Sequence, residues 1–322
     1  MSAIPVIDIS PLLRGGQAGA PAARQIAECA RGIGFMVVTG LDADIRLEGE
    51  MAQRMLALFK APEAEKRRLS RKKFAPENPL IYRGFFPVQP GQPGAFKEGI
   101  DIGVHAHRWP PSADPLREVV VLPDESLVPG FGEAMQAWAA VMEALGAALL
   151  RVLADAAGLD AEFYAREFHH GASTLRLLHY PVRPPESYAG LEARATREHH
   201  GERRAVGTGE HTDSGGLTLL VQDSVGGLQV LGMDGVSWHD VPPAAGSVIV
   251  NLGDLMELWS GGRYRATPHR VLGGSRERFS IPFFFEPRYD ALIITPDGQR
   301  FTYRDHLVKK MAGFTEFKGL AV

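Results

Sequence analysis

Cysteine is almost absent. Cys29 is the only one in 322 residues, so no disulfide can form within the chain, and the sequence reads as that of a protein for a reducing compartment. Strong charge of one sign is also missing, since the formal net charge of −3 is spread along the chain. The densest basic run, Lys66-Arg67-Arg68 with Arg71-Lys72-Lys73, has Glu63 and Glu65 beside it. It reads as a solvated helix face, and no nucleic-acid partner is expected. No uninterrupted apolar run approaches the ~20 residues of a membrane span, and Met1 to Ser10 lacks a basic segment leading into an apolar one. The expectation is a cytoplasmic protein with no membrane partner. Repeats and low-complexity tracts are lacking too, while 45% hydrophobic and 23% charged residues suffice for a large buried core.

What is present divides the chain unevenly, although residues 1–322 are expected to form one domain. Ile4 to Ile9 and Gly34 to Val38 read as strands, and Ala22 to Ile33 and Ile45 to Lys60 as helices, with Pro62 opening another turn and Cys29 a small core residue. Residues 74–130 are rich in proline and glycine and predict long irregular connections, so 1–130 is expected to be a mixed α/β and loop region. From Glu133 to Ala157, apolar residues recur at three- and four-residue steps, and Gly158 follows as a cap. Residues 131–158 should form a long supporting helix.

Short apolar runs then alternate with turn residues at 173–180, 217–222, 228–231, 236–241, 247–251, 266–272 and 278–286, the texture of a sandwich or small barrel. The catalytic core is placed at 171–290, with Pro181 to Gly209 as an exposed loop insertion. The tail, 291–322, is expected to be helical, chiefly Tyr303 to Phe314. The fold class predicted is mainly β with flanking helices.

His211-Thr212-Asp213 sets two metal-capable side chains two residues apart, and on an extended segment both point to one face. His269 supplies a third ligand from another predicted strand. Two imidazoles and one carboxylate on one side of an ion leave the opposite positions open, as Fe(II) requires to take up a chelating co-substrate and O2. A structural zinc site would want four closed ligands, usually with thiolates. Downstream, alternation puts Arg278, Ser280, Pro282, Phe284 and Glu286 on one strand face. An inward arginine needs a partner, and Arg278 with Ser280 offers a bidentate fork and a hydroxyl to the distal carboxylate of a small dicarboxylate.

His211-Thr212-Asp213, Asn251-Leu252-Gly253-Asp254, Ser260-Gly261-Gly262, His269, Arg278-Phe279-Ser280 and Phe285-Glu286-Pro287 together resemble the isopenicillin N synthase-like branch of the Fe(II)/2-oxoglutarate oxygenase superfamily. Ile4-Pro5-Val6-Ile7-Asp8, Gly34-Phe35, Tyr82-Arg83-Gly84 and Leu178-His179-Tyr180-Pro181 fall in the order that branch shows. The resemblance implies a distorted double-stranded β-helix, or jelly-roll, with His211 and Asp213 leading one strand. It implies a dioxygenase that binds Fe(II), uses 2-oxoglutarate and O2, is supported by ascorbate, and oxidises a small-molecule substrate, by default through hydroxylation. Tyr180 carries over as a co-substrate contact. Many members have Asn-Tyr-Tyr-Pro where this chain has Leu178-His179-Tyr180-Pro181, and the stretch between Pro181 and His211 is longer than usual.

Other readings stand beside this one. An oxidase that uses no 2-oxoglutarate can carry the same Arg-x-Ser, and a catalytically silent metal-dependent sensor can carry the same triad. Asn251 and Asp254 read as turn residues, His239-Asp240 as a strand end, and His169-His170 and His199-His200 as solvent-facing. Tyr82, Arg83, Lys97, His105 and His107, with Phe284 and Glu286, are candidate substrate-pocket residues. The plainer alternative pairs Arg83 and Lys97 with Glu77 and Glu98.

Overall fold

The computed structural model describes residues 4–92, 94–108, 114–188, 190, 192–273, 275–295 and 297–313. It opens with β1 (Val6–Asp8), α1 (Ser10–Leu13), α2 (Ala20–Arg31), β2 (Phe35–Thr39), α3 (Glu50–Leu56) and α4 (Glu63–Arg68). β3 (Gly84–Phe86), β4 (Glu98–Gly103), α5 (Phe131–Ala157), α6 (Ala161–Phe168) and β5 (Thr174–Tyr180) follow. Next come α7 (Glu192–Ala195), β6 (Thr196–His199), β7 (Glu202–His211), β8 (Leu217–Gln222), β9 (Leu228–Leu231), β10 (Trp238–Asp240) and β11 (Val248–Leu252). The last described elements are α8 (Asp254–Trp259), β12 (His269–Gly273), β13 (Arg278–Phe285), β14 (Leu292–Ile294), β15 (Arg300–Thr302) and α9 (Tyr303–Met311).

Two antiparallel sheets face each other as the walls of a double-stranded β-helix, so the fold is mainly β with flanking helices. One runs β1-β2-β11-β8-β13-β5-β4-β3, with only β1 and β2 parallel, and the other runs β10-β9-β12-β7-β6. Phe35, Val37, Tyr180, Leu228, Val230, Ile249 and Val271 form an apolar cluster drawn from strands of both sheets. A larger core lies outside the first sheet, where α5 packs Trp138, Met142, Leu145 and Leu149 among Leu219, Ile281, Phe283 and Phe285. α5 is long and apolar enough to cross a membrane by composition, with a mean hydropathy of 1.6, but 56% of that stretch is buried inside the protein. Gly158 ends it in the left-handed conformation at φ 68°, which glycine adopts without a Cβ clash.

Several expectations need correcting. Residues 74–130 are not wholly irregular, because β3 and β4 complete the large sheet, β4 pairing with β5 from Glu98↔His179 to Gly103↔Thr174. β4 is buried along nearly its whole length, so it shows no alternation to read. The predicted loop insertion also holds strands, since β6 and β7 form a hairpin with His199 opposite Glu202. Arg197, Glu198, Glu202, Arg203 and Glu210 lie on exposed positions and mask the strands. Consequently His211 closes β7 and Asp213 lies in the connection before β8, so the pair trails a strand and does not lead one. The helix expected over 45–60 starts at Glu50 and tightens into a 3-10 turn at Ala57–Lys60. Cys29 is buried in α2 as expected. Phe314 and the rest of the tail to 322 fall outside the described residues.

Candidate metal and co-substrate site

The antiparallel register sets His269 directly opposite His211. Asp213 reaches both rings, with Oδ1 3.7 Å from His211 Nε2 and Oδ2 3.8 Å from His269 Nε2. These separations are too long for hydrogen bonds, and one ligand atom from each residue lies within 4.8 Å of the other two. The other ring nitrogens are taken. His211 Nδ1 lies 2.8 Å from Gly209 O and His269 Nδ1 lies 3.2 Å from Thr267 O, contacts that suit Nδ1–H donors and turn each Nε2 lone pair inward. Burial holds His211 down to about 4, so its ring is neutral, the form that binds a metal. Burial pushes the Asp213 carboxyl up, but His269 and His211, with hydrogen bonds from Asn251 and Thr218, outweigh it and leave the group below its ordinary range. Asn251 Nδ2 donates at 2.8 Å and Thr218 Oγ1 at 2.5 Å, both to Asp213 Oδ2.

Arg278 opens β13 on the facing sheet and is among the largest fully buried side chains. Its Nε donates to Gly226 O at 2.7 Å, Nη1 to Ser280 Oγ at 3.1 Å and Nη2 to Gln222 Oε1 at 3.0 Å. These partners are neutral, so among the described residues the buried positive charge is hydrogen-bonded with no carboxylate paired to it. The guanidinium lies 4.8 Å from the centre of the Tyr180 ring, whose hydroxyl meets Thr208 Oγ1 at 3.1 Å.

One cavity of about 400 Å³ joins these groups, its wall including His211, Asp213, His269, Arg278, Ser280 and Tyr180. Of the other candidates, Tyr82, Lys97, Phe284 and Glu286 also line it. Lys97 Nζ donates to Gly94 O at 3.0 Å and Thr208 Oγ1 at 3.0 Å. Glu286 is buried with no hydrogen-bond partner for Oε2, and burial pushes its carboxyl up to about 7.

Arg83, His105 and His107 are not in the wall. Arg83 turns behind it, donating to Ala172 O at 2.8 Å, Thr174 Oγ1 at 3.0 Å and Leu116 O at 3.2 Å, where two buried backbone carbonyls need a donor. His105 pairs with Glu143 of α5, and His107 is exposed. Among the described residues, Glu77 pairs with Arg67, and Glu98 with Lys66 and His179.

Four further residues stand in or behind the site wall. Asn251 is a strand residue holding Asp213, not a turn residue. Asp254 is structural, its amide donating to Asp213 O at 2.7 Å and its carboxylate meeting Lys310 Nζ at 2.6 Å. Arg176, unremarked in the sequence, and Asp101, which reads there as a loop residue at the pocket mouth but lies in β4, form a bidentate pair at 2.5 and 2.8 Å in the cavity wall. The arginine lies 5.2 Å from the Phe284 ring centre. A charged residue inside the apolar run Leu175-Arg176-Leu177 was the available signal.

The profile of the 2OG-Fe(II) oxygenase superfamily matches residues 175–287, which span the whole constellation. Residues 4–125 match the N-terminal region described as that of the non-haem dioxygenase in morphine synthesis. A 2-oxoglutarate-Fe(II) type oxidoreductase, hxnY, of Emericella nidulans is 33% identical over 301 residues, covering 90% of this chain and 81% of the relative. The chain belongs to the 2OG-Fe(II) oxygenase superfamily. Gibberellin 20 oxidase 2 of Oryza sativa is 30% identical, covering 91% of this chain and 70% of its own length. Among solved structures, a full-length Neurospora crassa protein in complex with alpha-KG and thymine superposes with a TM-score of 0.79 at 25% identity, covering 96% of each chain. This protein is therefore a 2-oxoglutarate-dependent Fe(II) oxygenase.

Proposed function

We propose that His211, Asp213 and His269 hold the Fe(II), that Arg278 and Ser280 hold the distal carboxylate of 2-oxoglutarate beside Tyr180, and that the enzyme hydroxylates a small organic molecule. The observation carrying this is that the three-ligand cluster and the un-neutralised Arg278 open onto one cavity from opposite sheets. Bound there, iron and 2-oxoglutarate would supply the oxidising chemistry, with decarboxylation to succinate and CO2 coupled to consumption of O2.

The residues position and protect. The Gly209 and Thr267 carbonyls fix the imidazoles, and Asn251 and Thr218 fix the carboxylate, so the ligands meet an ion at little reorganisation cost. A dicarboxylate would replace the missing counter-charge of Arg278. Leu178, Leu220, Leu228 and Val271 line the same space and exclude water from the reacting centre. Tyr82, Lys97, Phe284 and Glu286, with Arg176, form the remaining wall, which we assign to substrate. It mixes aromatic, cationic and acidic groups, as a small molecule with an apolar body and polar edges would need. The thymine complex of the Neurospora crassa protein supports that size class. We read no nucleic acid and no membrane as partner, and the cytoplasm as the location.

The test is Asp213→Ala. It should lose stoichiometric Fe(II) binding and succinate formation together, and a variant that kept one tight Fe(II) per chain with full turnover would overturn the ligand assignment.

A further inference from the structure

The tip of the β6–β7 hairpin carries two imidazoles that the oxygenase chemistry does not use. His199 Nε2 lies 2.9 and 3.0 Å from the two carboxylate oxygens of Asp240, and His200 Nε2 lies 3.0 Å from Oδ2. Gln229 Nε2 holds Oδ1 from behind at 2.9 Å. β6 and β10 are the opposite edges of the five-stranded sheet. A flat sheet would separate them by four strand spacings, roughly 19 Å, so the sheet curls until the hairpin tip rests on β10.

The backbone at this tip is unusual. His199 pairs with Glu202, leaving a two-residue turn in which His200 has φ 50° and Gly201 φ 78°. Turns of this kind favour Asn, Asp or Gly at both positions, and a histidine held there is strained. In return, its ring comes to 4.1 Å from that of His199, with both Nε2 atoms on one carboxylate.

We infer that His199, His200 and Asp240 form a second divalent-metal site, for a borderline ion such as Zn(II), which clamps the β6–β7 hairpin across β10. Ligand atoms around Zn(II) at ~2.1 Å stand about 3.0 to 3.4 Å apart, close to the nitrogen–oxygen separations of 2.9 to 3.0 Å found here, with one ligand atom of each residue within 4.8 Å of the others. Binding needs only that each neutral ring carry its proton on Nδ1 in place of Nε2. Two nitrogens and one carboxylate suit zinc, nickel or copper better than calcium or magnesium, which prefer all-oxygen cages. With the side chain of His200 77% exposed, the ion is reached directly from solvent. The clamped hairpin continues as β7 into His211, so occupancy would stiffen the strand that ends at the candidate iron ligand. The plain alternative is two imidazole N–H groups donating to one carboxylate with no affinity for metal.

Zn(II) itself is the probe. In the Asp213→Ala background, equilibrium dialysis should find one Zn(II) per chain, and Asp213→Ala with His200→Asn should find none. Asparagine accepts the same left-handed turn, so the fold is not at risk from that change. In the otherwise wild-type chain, Zn(II) should slow amide exchange across residues 196–211, and His200→Asn should abolish only the part at the hairpin tip. Equal zinc retention with and without His200, or unchanged exchange at the tip, would overturn the site. Retention of two ions by Asp213→Ala would count against the iron assignment and leave this one standing.

Discussion

Arg278 and Glu286 stand on one face of β13 and pose opposite problems to the interior. The arginine is buried among neutral acceptors. The glutamate is buried with an orphan oxygen and avoids the cost by holding its proton, up to about 7 from 4.5. Below 4.5 the folded and unfolded chains both carry that proton, and the group leaves stability unchanged. Above 7 the folded state must bury an anion, so the raised pKa removes stability progressively between those limits. From pH 5 to pH 8 the loss should be roughly 2 to 3 kcal/mol, and Glu286→Gln should lack it. Urea denaturation of both proteins at the two pH values checks this, and parallel profiles would mean that Glu286 is ordinarily charged. Why some site residues were legible and others not is clear at this scale. The candidates His211 with Asp213 and Arg278 with Ser280 could be singled out because each pair sits two residues apart in sequence, whereas His269, on a separate strand, was picked out only by its residue type. Arg176 and Asp101 could not, since their meeting depends on the β4–β5 register Asp101↔Arg176.

Among the elements, the long helix was legible because an uninterrupted amphipathic pattern and a glycine cap both act locally. β4, β6 and β7 were hidden, one by burial without alternation and two by charges on their exposed positions. Local patterning also says nothing of how closely α5 approaches β13. Gly146 allows that approach, for a Cβ there would meet the Phe285 ring at 2.7 Å. Gly146→Ala should gain about 1 kcal/mol of helix propensity and lose about 1 to 3 kcal/mol through overpacking against a buried ring. Phe285 is only 3% exposed and has little room to yield, so the packing loss should win and Tm should fall. A raised Tm would show that the helix can slide on the sheet. Because Phe284 and Glu286 flank that ring, the same variant should weaken substrate binding more than it weakens 2-oxoglutarate binding.

For the whole molecule, the division of labour between the sheets matters most. β7 and β12 of the smaller sheet carry the histidines, whereas β13 of the larger one carries Arg278. A co-substrate chelated to the metal at one end and held by Arg278 and Ser280 at the other would tie the two walls together. Binding confined to the native state stabilises it by mass action, by about 2.7 kcal/mol at a hundredfold excess over Kd. With Ni(II) in place of iron, so that no turnover occurs, saturating 2-oxoglutarate should raise Tm by several degrees beyond the metal alone. The increment should vanish in Asp213→Ala, which lacks the metal end. It should shrink in Arg278→Lys, whose ammonium cannot reproduce the planar two-point contact, with the KM for 2-oxoglutarate rising about ten- to a hundredfold and metal affinity unchanged. If 2-oxoglutarate left Tm unmoved in the nickel protein, or moved it equally in Arg278→Lys, the co-substrate would not span the sheets through Arg278. The buried guanidinium would then be a structural cation satisfied by Gly226, Gln222 and Ser280 alone.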